Sequence, residues 1–371
     1  GERLMTGKKG GIVAIEPSTG EILCMVSSPP YDPRMMVGRQ RGANNNILSR
    51  NPHKPLLNRA IMGQYPPGST FKTTQALTFL QEGIVTPQTL FPCSMGFRFK
   101  GLTVGCHAHG APIPLVPSLA TSCNSYYCWG LFQMFSNRKK YATVQDAMTR
   151  WKDYMVSMGF GYALGVDLPG EKRGMIPNAP YYDKAYRGSW NGLTVISISI
   201  GQGEVNATPL QIANLGATIA NRGWFITPHV VKDIQDEELD TLYTTRRYTM
   251  AERANYEYVV QGMRQAVLAG TCRAANSPHY EVCGKTGTAQ NPHGQDHSAF
   301  MGFAPMNDPK IAICVYVENG IWGATFGVPI GSLMMEQYLT GGLSPESEEK
   351  AKTFEERHLI SVDNAFSKQE K

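Results

Sequence analysis

The segments of this chain that read as β-strands lie at its two ends, with mainly helical pattern between them. Near the start, Ile12-Val13-Ala14-Ile15 and Ile22-Leu23-Cys24-Met25-Val26 flank the turn Glu16-Pro17-Ser18-Thr19-Gly20, which predicts a β-hairpin from Gly11 to Ser27. Near the other end, residues 282–289, 298–303 and 311–317 read as strands, the last with Ile311, Ile313, Val315 and Val317 on one face. Helical spacing runs through 69–81, 144–158, 208–220 and 252–269, and Leu333 to Leu339 opens a closing helix. A hairpin first, helices in the middle, and strands and a helix last suggest one antiparallel sheet whose edges come from both chain ends. With helices packed on it, this is an α+β sandwich.

The region from Pro29 to Asn58 is polar and rich in Arg, Asn and Pro, and reads as a long surface loop. Residues 1–340 are expected to form one domain, and 341–371, rich in Ser, Glu and Lys, a flexible polar tail. A net charge of +5 spread over 371 residues gives no nucleic-acid footprint. No apolar run approaches the roughly 18 residues needed to span a bilayer. The opening Gly1-Glu2-Arg3-Leu4-Met5 is no signal peptide and has no initiating Met, which suggests an excised part of something longer. Eight irregularly spaced cysteines do not make a disulfide framework, although Cys272 and Cys283 bracket a short excursion and are either bridged or free. Cys24 and Cys314 read as buried small hydrophobes.

Three short patterns carry chemistry. Ser-x-x-Lys brings a hydroxyl and an amine together one helical turn apart, so that the amine can activate the hydroxyl. It occurs three times, at Ser69/Lys72, Ser136/Lys139 and Ser347/Lys350. Only Ser69 follows a forced turn, Pro66-Pro67-Gly68, and opens an apolar helix, where backbone N–H groups can meet an oxyanion. A simple helix cap is the competing reading. Ser-x-Asn also occurs three times, including Ser122/Asn124, and both side chains can enter one cleft if the pattern lies on a turn. Lys285-Thr286-Gly287-Thr288 contains the single Lys-Thr-Gly of the chain. On a strand, Lys285 and the two threonines make a carboxylate pocket, and Gly287 lets a substrate backbone approach the edge.

Ser69-Thr-Phe-Lys72, Ser122-Cys-Asn124 and Lys285-Thr286-Gly287 follow the order and rough spacing of the penicillin-binding proteins and serine β-lactamases. Residues 10–22, 58–69, Gly201-Gln202-Gly203 with Thr208-Pro209-Leu210-Gln211, and 297–305 resemble class B penicillin-binding proteins, nearest the elongation-specific penicillin-binding protein 2. The resemblance covers about residues 10 to 340. It implies a D,D-transpeptidase fold, with an antiparallel five-stranded sheet flanked by helices plus an all-helical subdomain. It also implies a place on the periplasmic face of a bacterial inner membrane, in cell-wall elongation and cell-shape maintenance. The partners it implies are stem peptides ending in D-Ala-D-Ala, β-lactams and a membrane glycosyltransferase, with no nucleic acid and no catalytic cofactor.

By the same resemblance Ser69 is the nucleophile and Lys72 its base, neutral because Lys285 lies close. Ser122 relays a proton, Asn124 binds the substrate amide, Lys285, Thr286 and Thr288 receive the terminal carboxylate, and Gly287 lies against the substrate backbone. The rivals are a serine β-lactamase and a β-lactam-sensing receptor domain. Separately, Cys106-x-x-His109 has half-site spacing for tetrahedral zinc, and Cys93 and Cys123 can complete a Cys₃His set, with buried free thiols as the alternative and His107 or Cys128 as replacement ligands. Some elongation-type relatives carry zinc at positions matching Cys93, Cys106, His109 and Cys123, several with carboxylates at the first two. His297, Asn206 and the cluster Met148, Met155 and Met158 read as structural.

Overall fold

The computed structural model describes residues 1–361. Five antiparallel strands form the central sheet: β1 (Gly10–Ile15), β2 (Ile22–Ser28), β3 (Cys283–Ala289), β4 (His297–Ala304) and β5 (Ile311–Val317), in the spatial order β2-β1-β5-β4-β3. One edge comes from the N-terminal hairpin and the other from β3, as the distribution of strand signals predicts. Every residue of β1 and β5 is buried, so both faces of the sheet are covered.

Alternation along the strands divides the core in two. Val13, Met301, Ala312 and Cys314 face one side, and Ile12, Phe300, Ile313 and Val315 the other. The first side is packed by helices α4 (Pro209–Ala220) and most of α5 (Arg253–Leu268), and the same core continues through α1 (Lys72–Gln81), α2 (Asn124–Ser136) and α3 (Val144–Ser157). The second is packed by α6 (Gly327–Thr340) and α7 (Pro345–Glu356). Thr143 and Thr208 close capping boxes with Asp146 and Gln211, so the starts of α3 and α4 follow directly from sequence. His297 accepts a hydrogen bond from Asn319 N–H, and Met148, Met155 and Met158 lie in the core.

α1 is buried all round from Lys72 to Phe79. Its polar members are satisfied internally: Thr73, Thr74 and Thr78 donate to carbonyls three or four residues back, and Gln75 Oε1 accepts from Trp151 Nε1 at 2.8 Å. A helix with Lys72 at its start is therefore fixed from every side.

Two expectations are corrected. The segment read as a loop from Pro29 to Asn58 contains a 3₁₀ turn at Pro33–Met36 and a helix at Arg41–Arg50, in which only Leu48 is buried. A helix with so narrow an apolar stripe leaves almost no periodic signal. The segment read as a flexible tail contains α7, whose Ala351 and Phe354 are buried and whose Glu348 and Glu355 pair with Arg3. Its charged positions face solvent while two apolar ones pack, which composition alone conceals. Residues 362–371 of that expected tail lie outside the described residues. Cys272 and Cys283 are free thiols in the cores on opposite sides of the sheet. Cys314 is buried, whereas Cys24 is only half-buried.

Candidate active site

Pro66 and Pro67 restrict the chain to a turn, and Gly68 takes φ +56°, which glycine adopts without strain. A Cβ there would stand 2.7 Å from Thr288 O, so the turn lies directly against β3. Gly68 N–H donates to Gly201 O at 3.0 Å. This delivers Ser69, half-buried, into the 3₁₀ turn Gly68–Phe71 that leads into α1. Lys72 follows one turn later, fully buried.

Ser122 lies on the predicted turn between a short helix at Leu115–Ala120 and α2, and Asn124 is the first residue of α2. Ser122 adopts φ +58°, a left-handed conformation that costs a residue with a Cβ roughly 1–2 kcal/mol. It is held there by Lys72, whose Nζ donates to Ser122 O at 2.7 Å, to Ser122 Oγ at 3.1 Å and to Asn124 Oδ1 at 2.5 Å. Among the described residues Lys72 makes no hydrogen bond to Ser69. Lys285 Nζ reaches the same Ser122 Oγ at 2.8 Å from β3. Ser69, Lys72, Ser122, Asn124 and Lys285 thus line one site, with Ser122 between the two amines.

Burial is the main cause that lowers Lys72, to about 8 from the usual 10.5. Lys285 is also fully buried and lies well below the usual lysine range, first through burial and second through the charge of Lys72. Desolvation of both amines thus outweighs the simple like-charge argument made from sequence for Lys72.

Thr286 Oγ1 donates to Thr271 Oγ1 at 2.9 Å, and Thr288 Oγ1 accepts from Gly323 N–H at 3.3 Å. Gly287 has a different reason from the one its sequence suggests. A Cβ on it would meet Pro67 O at 3.0 Å and Thr70 Cγ2 at 3.1 Å, so its bare face receives the Ser69 turn. The outer edge of β3 pairs with no strand among the described residues, leaving backbone groups for an extended peptide. Sequence reasoning passed over Thr271 as a site residue, along with Gln202, whose Nε2 donates to Thr288 O at 3.2 Å. The signals for Gln202 are its place in one of the stretches that carry the resemblance and its position between two glycines, which take φ +69° and +70°.

Beside this turn, ligand atoms of Cys93, Cys106, His109 and Cys123 lie within 4.8 Å of one another. A tetrahedral zinc with Zn–S near 2.3 Å requires ligand atoms about 3.8 Å apart, so this Cys₃His set fits after small side-chain shifts. His109 Nδ1 lies 2.8 Å from Gly110 O, leaving Nε2 towards Cys106. His107 instead lies against Thr121 O, and Cys128 is buried against Ser199. Hydrogen bonds from Cys123 and the Asn124 N–H favour the Cys106 thiolate. Asn124 N–H donates to Cys106 Sγ at 3.3 Å, and Cys123 caps α2, so the cluster is fastened to the Ser122–Asn124 turn.

Residues 10–332 match the penicillin binding protein transpeptidase domain. The peptidoglycan D,D-transpeptidase MrdA of Acinetobacter baumannii is 34% identical over 345 residues, which cover 86% of this chain and 49% of MrdA. The structure of PBP2 from Pseudomonas aeruginosa in complex with WCK 5153 is similar with a TM-score of 0.79 at 33% identity, covering 93% of this chain and 74% of that one. PBP2 of Helicobacter pylori in complex with MreC gives 0.78 at 25% identity, covering 92% and 62%. The chain spans about half the length of the first curated relatives it matches.

Proposed function

The chain belongs to the penicillin-binding protein transpeptidase family, and from that premise we propose that residues 1–340 are a D,D-transpeptidase domain that crosslinks peptidoglycan stem peptides through an acyl-enzyme on Ser69. The observation that carries the reading is Ser122 Oγ held between the Lys72 and Lys285 amines beside the Ser69 turn.

In this reading, neutral Lys72 takes the Ser69 proton as Ser69 Oγ attacks the penultimate carbonyl of a stem peptide ending in D-Ala-D-Ala. Lys72 must turn from Ser122 towards Ser69 to do so, a side-chain motion of one buried amine. Ser122, bonded to both amines, passes a proton to the departing D-Ala nitrogen. The Ser69 and Thr288 N–H groups stabilise the oxyanion, and Lys285, Thr286 and Thr288 bind the terminal carboxylate. Asn124 binds the substrate amide while anchoring Lys72, and Gly287 keeps β3 close to Ser69. A second stem-peptide amine then takes the acyl group. β-Lactams stop at the acyl stage.

A penicillin adduct that persists, rather than turnover in seconds, separates this reading from a β-lactamase. We assign zinc to Cys93, Cys106, His109 and Cys123, where it would hold the Ser122–Asn124 turn from behind without entering the reaction. The relatives' role in cell-wall synthesis supports a periplasmic setting at the inner membrane. The MreC complex of the H. pylori protein supports a partner in the elongation machinery, and a peptidoglycan synthase complex that coordinates polymerization with crosslinking supports a membrane glycosyltransferase partner.

Intact mass after incubation with penicillin tests the reading. One adduct per chain is expected on the unmodified protein and none on Ser69→Ala. Labelled Ser69→Ala would overturn the choice of nucleophile. Crosslinking of a donor stem peptide to an added amine separates a transpeptidase from a β-lactam sensor.

A further inference from the structure

The carbonyl before the nucleophile turn is held by a tyrosine that belongs to none of the three motifs. Tyr316 on β5 donates its hydroxyl to Pro66 O at 3.0 Å. Pro66 opens the turn that carries Ser69, so this bond fixes where the turn leaves the sheet. Two other bonds brace the same turn, Thr70 Oγ1 to Pro67 O at 2.7 Å and Gly68 N–H to Gly201 O at 3.0 Å.

Tyr316 is itself locked. Its ring stacks on Tyr65 with centroids 4.3 Å apart and planes 16° from parallel, and His297 packs edge-on to Tyr65 at 6.1 Å. Tyr65 donates to Glu318 Oε1 at 2.8 Å, and the same oxygen accepts from Arg59 Nε at 3.0 Å. Arg59 is 2% exposed, and its remaining nitrogens donate to His53 O and Lys54 O, so each guanidinium nitrogen has a partner. Lys9 lies 3.5 Å from the second carboxylate oxygen. A buried ion pair of this kind adds little net stability compared with apolar residues, but it imposes one geometry on its neighbours.

We infer that Tyr316, oriented by the Tyr65–Glu318–Arg59 chain, is a positioning residue for the proposed nucleophile Ser69, setting the acylation rate by holding Pro66 O. The inference rests on the proposed acyl-enzyme reading. The chain runs from the outer ion pair to the aromatic stack and then to the turn, and each link is a direct contact. No hydrogen bond or ion pair joins these side chains to Lys72, Ser122 or Lys285 among the described residues, so they act through the backbone of the turn. An attack geometry loosened by a fraction of an ångström lowers the rate without changing what the cleft binds.

The test compares Tyr316→Phe with the unmodified protein and with Tyr154→Phe. Tyr154 donates to buried Glu82 at 2.7 Å in the helical layer, and its hydroxyl makes no hydrogen bond to the turn among the described residues, so it controls for loss of one buried tyrosine hydroxyl. Stopped-flow acylation by a chromogenic cephalosporin separates the reversible binding constant from the acylation rate constant, and calorimetry gives Tm. Tyr316→Phe is expected to slow acylation about tenfold with binding unchanged, whereas Tyr154→Phe lowers Tm and acylates normally. Normal acylation by Tyr316→Phe would overturn the inference. Equal slowing in both variants would also overturn it, by reducing the effect to general destabilisation. No acylation of the unmodified protein would remove the Ser69 assignment itself, and this inference with it.

Discussion

The Lys72 and Lys285 amines converge on one oxygen, Ser122 Oγ, at 3.1 and 2.8 Å. Both are fully buried, so they resist being charged together.

A pH dependence follows. Lys72, the proposed base, is lowered to about 8, chiefly by burial, so its neutral form is the minor one below that pH. The acylation rate constant is expected to rise about tenfold per pH unit below 8 and to level above it. A rate independent of pH between 6 and 9 would remove Lys72 as the base. Lys72→Arg, always charged, is expected to lose acylation altogether.

Gly68 tests the contact between the turn and β3. Gly68→Ala puts a Cβ 2.7 Å from Thr288 O at a residue with positive φ. The turn must move off the strand, carrying Ser69 with it. Acylation is expected to fall at least tenfold, with a stability loss of about 1–2 kcal/mol by denaturant titration.

The cysteine cluster makes a metal prediction. Protein purified without chelator is expected to contain about one zinc per chain by elemental analysis. Strong chelation should release it, expose Cys93 and Cys106 to a thiol reagent and slow acylation, because Cys106 accepts from Asn124 N–H. Metal-free protein with those thiols already reactive would dispose of the assignment.

Glu82 makes a stability prediction away from the site. Its side chain is 4% exposed, and burial alone would raise it. Hydrogen bonds from Tyr141, Tyr154, Lys140 and Arg150 outweigh burial and hold it at about 2. Because the folded value is below the ordinary 4.5, the stabilisation is complete above about pH 4.5 and is lost as pH falls towards 2. Glu82→Gln should cost about 2–3 kcal/mol at pH 7 and little near pH 2, measured by urea unfolding at both.

Local signals were enough for elements whose stabilising contacts lie within a few residues. The helical spacing over 144–158 and 208–220, the Pro66-Pro67-Gly68 turn and the alternation from Ile311 to Val317 are of this kind. They failed for the helix at Arg41–Arg50 and for α7, where one or two apolar residues anchor an otherwise polar surface.

The sequence by itself determined the sheet's composition from both chain ends, the order of the three motifs and the residues able to hold a metal, because these depend on periodicity, turn chemistry and side-chain type. Tertiary structure decided that Lys72 bonds Ser122 rather than Ser69, that Gly287 is bare to admit the Pro67–Thr70 turn, and that Tyr316 reaches Pro66. Each joins segments far apart in the chain, and a contact of about 3 Å between such segments is set by how layers pack, a quantity to which no local pattern is sensitive.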